Sequence, residues 1–397
     1  MKYYLPILLL LFFSCRAQEK PENQKIYCLG QNIPSNIPEI FGAGIISVEG
    51  RFETGLTISP DCKSIAFGVY HESKSEETCI YLMNYVSGKW TTPTNTFLPD
   101  NVNTFYPMFD PFGNTLYFVK SKEGSETDLW SATYVNNKAI DPQPLNSIFN
   151  SNSREAGHGK SKNGSFYFTS NRDDQHQCCG DIYRSEPEKG NYTKIQKVSE
   201  LSSSADEESL FLSPMGDYII IQAWQYESDS KHDLFISYLT KTESWTVPER
   251  LDSEINGKEI EQRPFISSDN QYLFFSRISI PPESGSDHYE SDIYWVSTAS
   301  VFKPFPYHPI PVKHLEYNES FQIQLPEDMF KDVDNNIISY ELSLNNSLDL
   351  PEWIRFDEKK LLLIGSWRTK EPAILKITAI DDYGNKSVLP LLQTKNN

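Results

Sequence analysis

The feature that most constrains this chain is a short turn that keeps returning. "SPDCKSIAF" (59–67), "DPFGNTLYF" (110–118), "SKNGSFYF" (161–168), "SPMGDYIII" (213–221) and "SSDNQYLFF" (267–275) follow one another about every fifty residues. A second mark trails each turn: "CIYL" (79–82), "DLWS" (128–131), "DIYR" (181–184), "DLFI" (233–236) and "DIYW" (292–295). Two repeats carry a third, "KWTTP" (89–93) and "SWTVP" (244–248). The Asp, Asn and Gly of the turn supply the left-handed and side-chain-bonded conformations that a tight hairpin needs. The flanking segments are short, aromatic and β-branched, as strands are. With 22 Tyr, 23 Phe and 7 Trp against a mean hydropathy of −0.49, the composition fits a strand-rich body rather than a disordered or membrane-spanning one.

Each repeat therefore offers three or four antiparallel strands with two apolar faces. One such sheet cannot bury both faces alone, so repeats are expected to stack around an axis as a β-propeller. The spacing predicts an all-β propeller over 25–302 with five blades, or six if residues 30–50 add strands. The fifth repeat lacks a fourth strand before the chain leaves at "KPFPYHPIP". "KIYCL" (25–29) is expected to supply that strand and to close the ring. Residues 303–312 read as a Pro-rich extended linker. Six or seven short strands over 313–397 read as an immunoglobulin-like sandwich.

The first fifteen residues, "MKYYLPILLLLFFSC", combine Lys2, an apolar run and a small residue before Cys15. The apolar run is too short to span a bilayer, so 1–14 read as a cleaved leader. Leu11 to Cys15 resembles a bacterial lipobox, with Phe12 where Leu is common. That resemblance makes Cys15 the acylated new N-terminus and residues 15–24 a polar tether. A plain secretory signal with an incidental Cys15 is the alternative. Removing 1–14 deletes Lys2 alone among charged residues, taking the net charge from −18 to −19. An acidic body of this kind excludes nucleic acid and an anionic membrane surface as partners, leaving the acyl chain as the membrane contact. Cys28, Cys62, Cys79, Cys178 and Cys179 then remain, too few and too scattered for a disulfide scaffold.

The S-P-D-x-K turn followed by D-I-Y resembles the TolB-type, WD-repeat-like propeller repeat of exported bacterial proteins. "YCLGQNIPSNIPEIFGAGIIS" (27–47) is similar to the lead-in of exported lipoproteins that carry this repeat. The resemblance covers roughly residues 27 to 300 and departs at Cys62 and Asn270 for Gly and at Lys162 for Pro. It implies a bacterial outer-membrane lipoprotein facing the periplasm or the cell surface. In the C-terminal part, "LPEWIRFD" (350–357), "LIGSW" (363–367) and "ITAIDDYGN" (377–385) resemble the dystroglycan-type cadherin-like domain, with Trp367 where Pro is usual. Relatives of that domain can bind calcium through acidic loops. The resemblance implies Asp332, Asp334 and Asp381 as its ligands, and no other cofactor is expected.

One cluster invites a sharper reading. Asp173, Asp174, His176, Cys178, Cys179 and Asp181 fall within "NRDDQHQCCGD". In register this is the loop between the second and third strands of the third repeat. Loops 70–79, 120–128, 225–233 and 277–292 are its equivalents, all acidic, with His71, His232 and His288 at differing offsets. Metal ligands require fixed geometry, so the cluster reads as a loop. Cys178 and Cys179 form either a vicinal disulfide or two thiols.

A ligand is expected at the mouth of the central channel, near the innermost strands "FETGLTI", "TFYPMFD", "REAGHGK", "DEESLFL" and "EQRPFIS". Glu53, Tyr106, Glu155, His158, Glu208, Gln262 and Arg263 are the candidates there, a set suited to sugars, peptides or a cation. Part of the set could equally serve to satisfy buried backbone. No nucleophile elbow, zinc-protease signature or glycine-rich phosphate loop occurs. The leading expectation is a non-catalytic, lipid-anchored envelope protein that binds a glycan, a peptide or another envelope protein. A metal-assisted lyase or hydrolase at the propeller mouth and an adhesion spacer acting through the cadherin-like domain are the alternatives.

Overall fold

A computed structural model of the chain describes residues 26–71, 77–99, 101, 103–121, 126–173, 179–224, 232–279, 290–334 and 337–395. Cys15, the leader and the tether lie outside the described residues, as do Asp174, His176, Cys178 and His288.

The recurring turns make hairpins, and each hairpin opens a four-stranded antiparallel sheet. The first blade contains Phe52–Ile58, Ser64–His71, Glu77–Val86 and Lys89–Trp90. The second contains Thr104–Phe109, Thr115–Ser121, Thr127–Val135 and Lys138–Pro144; the third, Glu155–Lys160, Phe166–Ser170, Asp181–Ser185 and Gln196–Lys197. Asp206–Leu212, Tyr218–Trp224, His232–Tyr238 and Glu249–Arg250 form the fourth. Ile260–Ile266, Tyr272–Ser279 and Glu290–Ser297 belong to the fifth, whose outer strand is Glu39–Ile40. The five innermost strands contact one another in cyclic order and so surround an axis. The molecule is an all-β propeller.

Local chemistry explains the turns. Ser59 Oγ donates to Asp61 Oδ1 at 2.6 Å and accepts from the Ser64 amide at 2.9 Å. Ser161 with Asn163, Ser213 with Asp217 and Ser267 with Asp269 repeat the pairing of hydroxyl and side-chain oxygen at 2.6 Å. Cys62 and Asn270 hold φ of 59° and 56°, the left-handed position that Gly164 and Gly216 fill in their own turns. Both departures from Gly thus keep the turn, at a backbone strain of about 1 kcal/mol for Cys62.

Five apolar clusters lie between successive blades. Ile65 and Phe67 meet Phe274 and Trp295 between the fifth and first; Leu82 meets Phe109 and Phe118 between the first and second. Val119 meets Phe166 and Phe168, Ile182 meets Ile219 and Ile221, and Ile236 meets Leu273 and Phe275 at the remaining interfaces. Each fully buried Phe, Leu or Ile contributes roughly 1.5–3 kcal/mol, so the stacking itself drives closure.

The ring closes differently from expectation. Residues 26–30 form a turn rather than a strand, with Leu29 at φ 53° and Gly30 at φ 81°. Tyr27 and Cys28 are both buried, which successive residues of an edge strand with one covered face cannot achieve. They plug the cluster between the first and fifth blades instead, where Tyr27 donates to Asp269 Oδ2 at 3.0 Å. Glu39 and Ile40 pair with Trp295 and Tyr294, and the Phe41 amide donates to the Ile293 carbonyl at 2.7 Å.

A side-chain staple repeats at every blade boundary. Asn101 binds the backbone of Ile80, Asn150 that of Leu129, and Asn256 that of Leu234. Ser202 Oγ accepts from the Ile182 amide, and Ser47 Oγ accepts from the Ile293 amide at 3.1 Å. The five stapled residues are the apolar members of the D-I-Y marks. Ser47 makes the last staple from the N-terminal side, joining the end of the ring to its start.

The C-terminal strands form two sheets. Lys313–Leu315, Lys386–Thr394, Ile374–Asp381 and Ile337–Leu344 make one, and Ser320–Gln324, Leu362–Ser366 and Ile354–Asp357 make the other. Phe321, Leu363, Trp367, Leu375, Ile377 and Leu391 fill the space between them. Trp367 stands where Pro was expected and is fully buried, edge-on to Trp353 at 5.5 Å. The linker is not free chain, since Phe305–Pro306 pairs with Phe330–Lys331 and Phe305 enters the cluster between the fourth and fifth blades. Asn385 Nδ2 donates to the carbonyls of Ala299 and Phe302, fastening the sandwich to the ring.

Candidate functional site at the propeller mouth

Every innermost strand breaks register near its start, at Gly55, at Tyr106–Pro107, at Ala156–Gly157, at Glu208 and at Arg263–Pro264. A bulge adds one residue and re-aims the side chains around it. Here all five lie at one level of the channel. The cavity beneath them measures about 50 Å³ and is lined by all five inner strands, room for a few waters and no larger ligand. A ligand larger than that is kept out of the channel at this level.

Three bulges carry left-handed backbone: Gly55 at φ 57°, Tyr106 at 51° and Arg263 at 57°. Gly adopts this conformation freely, whereas Tyr and Arg strain by roughly 1–2 kcal/mol each. The two strained side chains meet across Gly55, with the Arg263 guanidinium carbon 3.9 Å from the centre of the Tyr106 ring. A Cβ on Gly55 would sit 3.3 Å from Arg263 Cδ. Burial pushes the Tyr106 hydroxyl up to about 12, against the opposing charge of Arg263. Tyr106 is thus a neutral donor.

Glu208 joins them from the fourth blade. Its Oε2 accepts from Gln222 Nε2 at 2.9 Å, and its Oε1 lies 3.9 Å from Arg154 Nη1. The Gln222 oxygen faces Ser209 Oγ, so both amide hydrogens lie on the other side. One goes to Glu208, and the other points at His232 Nδ1, 3.0 Å away. His232 Nδ1 is therefore the acceptor and Nε2 carries the proton. Burial holds this imidazole below its ordinary value, chiefly against the pull of Glu208. The His232 ring stacks on Trp224 at 5.5 Å with planes 3° apart, and Trp224 remains 44% exposed.

Beside Arg263 opens a pocket of about 280 Å³ lined by Phe52, Thr54, Tyr70, Thr78 and Phe105. Thr54 is 2% exposed, and among the described residues neither its Oγ1 nor the buried Nε of Arg263 has a hydrogen-bond partner.

The remaining predicted residues do other work. Glu53 is fully buried beside Arg51 and accepts from the Val48 amide. Burial outweighs Arg51 and raises its carboxyl to about 7. Glu155 is gripped by Ser151, Ser170 and Arg172, the last at 3.0 Å. Glu207 and Glu261 repeat the pattern with Ser203 and Arg277. These carboxyl groups pin the loops that enter four of the five blades; in the second, Thr104 bonds Asn101 instead. His158 lines the inner cavity, 5% exposed, with neither ring nitrogen in a hydrogen bond of proper geometry. Burial lowers it to about 4, although the backbone near Tyr117 and Ala156 opposes the shift. Gln262 is buried with Nε2 unpartnered. Among the described residues, no hydrogen bond or ion pair joins Glu155 to His158.

Thus Tyr106, Glu208 and Arg263 share the mouth, while Glu53, Glu155 and His158 lie below or behind it. Sequence reasoning missed Arg154, Gln222 and Trp224. "QAWQ" closing a second strand was the available signal, because that strand ends at the level where the inner strand begins.

In the loop cluster of the third repeat, Asp173 Oδ2 accepts from the Tyr183 hydroxyl at 2.7 Å and Asp181 pairs with Lys197 at 2.6 Å. In the sandwich, Asp332 is 6% exposed, and among the described residues both of its carboxylate oxygens and Asp334 Oδ1 are unpartnered. Burial, and then the neighbouring Asp334, raise the Asp332 carboxyl above its ordinary value. Asp381 instead accepts from the amides of Tyr383 and Asn385 in its own turn. Among the described residues, no group of three or more His, Cys, Asp or Glu has the geometry to hold a metal ion. No helix among them is long and apolar enough to cross a membrane.

No protein-family model matches the chain, and no curated protein matches it. Among solved structures it is similar to a putative TolB from Agrobacterium tumefaciens, at 12% identity and a TM-score of 0.40, over 86% of this chain and 81% of that one. A TolB from Acinetobacter baumannii matches at 17% identity and 0.38, over 62% and 57%. The catalytic domain of a Coprinopsis cinerea GH62 α-L-arabinofuranosidase matches at 11% and 0.43, over 68% and 99%. At these identities the likeness concerns the fold alone.

Proposed function

We propose that this protein is a non-catalytic, lipid-anchored binding protein of the bacterial envelope that seats a peptide, glycan or protein partner at the mouth of the propeller. One observation carries the reading. Tyr106, Glu208 and Arg263 arrive from three different blades at one opening, and Glu208, Arg154 and Arg263 all act on the Tyr106 hydroxyl. Mixed polar groups fixed on rigid strands beside an exposed indole suit recognition. Acid–base chemistry finds less support, because Glu53, Glu155 and Glu261 are tied to arginines and His158 is sealed beneath the mouth.

The test compares capture by the immobilised full chain and by its Glu208→Gln and Trp224→Ala variants from solubilised outer membrane. A partner retained by the wild type and lost by both variants supports the reading. Retention unaffected by either moves the binding surface elsewhere. Anchoring is tested apart from binding. Cys15→Ala should shift the protein to the soluble envelope fraction, and a variant that stays in the pellet at high salt contradicts acylation.

Calcium belongs to the same proposal. Asp332 and Asp334 keep buried carboxylate oxygens without partners, an arrangement a hard divalent cation would satisfy.

A further inference from the structure

In a chain of net charge −18, a cation without a carboxylate partner calls for explanation. Arg51, Arg154, Arg172, Arg184, Arg250 and Arg277 in the propeller each lie within salt-bridge distance of Asp or Glu. Arg263 forms no such pair among the described residues, and its buried Nε is unpartnered. It is also held in left-handed backbone where the first blade uses Gly55. Strain retained at an unneutralised, half-buried cation marks a place kept for a ligand.

The pocket beside it defines that ligand. Phe52 and Tyr70 meet edge to face at 5.9 Å, and Phe105 and Thr78 complete the lining. Thr54 adds an unpartnered hydroxyl on a residue only 2% exposed, a second donor lining the same cavity as Arg263. Among the described residues, the pocket thus pairs an apolar bowl with two buried donors in its wall and has no carboxylate in its lining. An acceptor-rich anion attached directly to an apolar group fits both parts. A sugar acid, whose ring faces could stack on the same aromatic walls, is the competing anion that the test must exclude.

We propose that this pocket takes the free C-terminus of a polypeptide whose last residue is apolar. The α-carboxylate lies on Arg263 and Thr54, and the terminal side chain lies among Phe52, Tyr70 and Phe105. This rests on the mouth being the binding surface and narrows the ligand to a peptide end.

The experiment titrates the full chain by calorimetry with acetylated pentapeptides ending in leucine, phenylalanine or lysine, each as free acid and as amide, and with trigalacturonate. The leucine and phenylalanine acids should bind at least tenfold more tightly than their amides, than the lysine peptide and than trigalacturonate. Arg263→Gln should abolish that preference, with a melting temperature within a few degrees of wild type. Because Arg263→Gln could perturb the bulge, Arg263→Gly provides a second variant whose backbone suits φ 57°. Equal binding of acids and amides, or no binding of either apolar acid, overturns the proposal. Arg263-dependent binding of trigalacturonate alone would also overturn it, while leaving the mouth as the binding surface. Peptide binding that survives both Arg263 substitutions would count against the mouth itself.

Discussion

Gly55 and Arg263 hold the same backbone angle, φ 57°, at equivalent bulges of neighbouring blades, and the Arg263 side chain crosses directly over the glycine. The glycine makes room for the arginine, and the arginine stacks on Tyr106 beyond it. The mouth is thus a three-residue device in which one side chain is deleted so that two others can meet.

Gly55→Ala tests that device. The new methyl would meet Arg263 Cδ at 3.3 Å in a conformation L-residues disfavour. Loss of about 1–2 kcal/mol in a urea titration is expected. An unchanged midpoint would mean that the bulge relaxes freely and that the Arg263–Tyr106 stack is not held in place.

Arg263→Gly should be nearly neutral for stability. Relief of about 1 kcal/mol of strain offsets the loss of a cation–π contact worth roughly 0.5–2 kcal/mol. Stability should change little while ligand binding is lost. A large fall in melting temperature would reassign Arg263 from binding to structure.

The buried carboxylates predict a pH dependence. Burial raises Glu207 to about 8 and Glu53 and Glu261 to about 7, from an ordinary value near 4.5. The folded chain therefore holds protons that the unfolded chain releases between pH 4.5 and 8. The stability from these groups is complete below about 4.5 and is lost as pH rises through about 7 to 8. A tenfold difference in proton affinity between the folded and unfolded chain corresponds to about 1.4 kcal/mol. Denaturation midpoints should therefore fall between about pH 5.5 and 8.5, by an amount on the order of a few kcal/mol. Glu207→Gln should flatten the curve. A midpoint that rises across this range would contradict the assignment.

Ring closure is predicted to depend on 39–47 rather than on the tether. Removing residues 16–25 should leave the melting temperature unchanged. Removing 16–47 deletes the Glu39–Ile40 strand and the Ser47 staple and exposes the edge at Glu290–Ser297. Aggregation and early melting should follow. Equal stability of the two truncations would refute closure by this segment.

The repeating turns were legible because a turn is local chemistry: a Ser hydroxyl, an Asp or Asn within its reach, and a residue that tolerates left-handed φ. The D-I-Y marks were legible because the apolar residue must fill an interblade core. The closing strand was not, since Glu39 and Ile40 carry no strand pattern and owe their place to Tyr294 and Trp295. "KIYCL" looked more like a strand, yet its apolar residues were more useful as a plug than as an edge. At the mouth, sequence identified Tyr106, Glu208 and Arg263 from position along the inner strands. It could not show that Arg51 and Arg172 would claim Glu53 and Glu155, because pairing partners lie at distances that turn spacing does not encode.

Asp332 offers a separate check on the sandwich. Millimolar calcium should raise the melting temperature of the full chain, and Asp332→Asn should remove that effect. No shift with calcium would contradict a cation at Asp332 and Asp334.

The central claim is that partners bind at the mouth, and site-specific photocrosslinking in intact cells tests it most directly. A photoreactive phenylalanine analogue would replace Trp224, beside the mouth, or Phe112, which is 52% exposed in the turn at the opposite end of the inner strand. The account predicts a discrete crosslinked partner from position 224 and none from position 112. Crosslinking from 112 with none from 224 would contradict it.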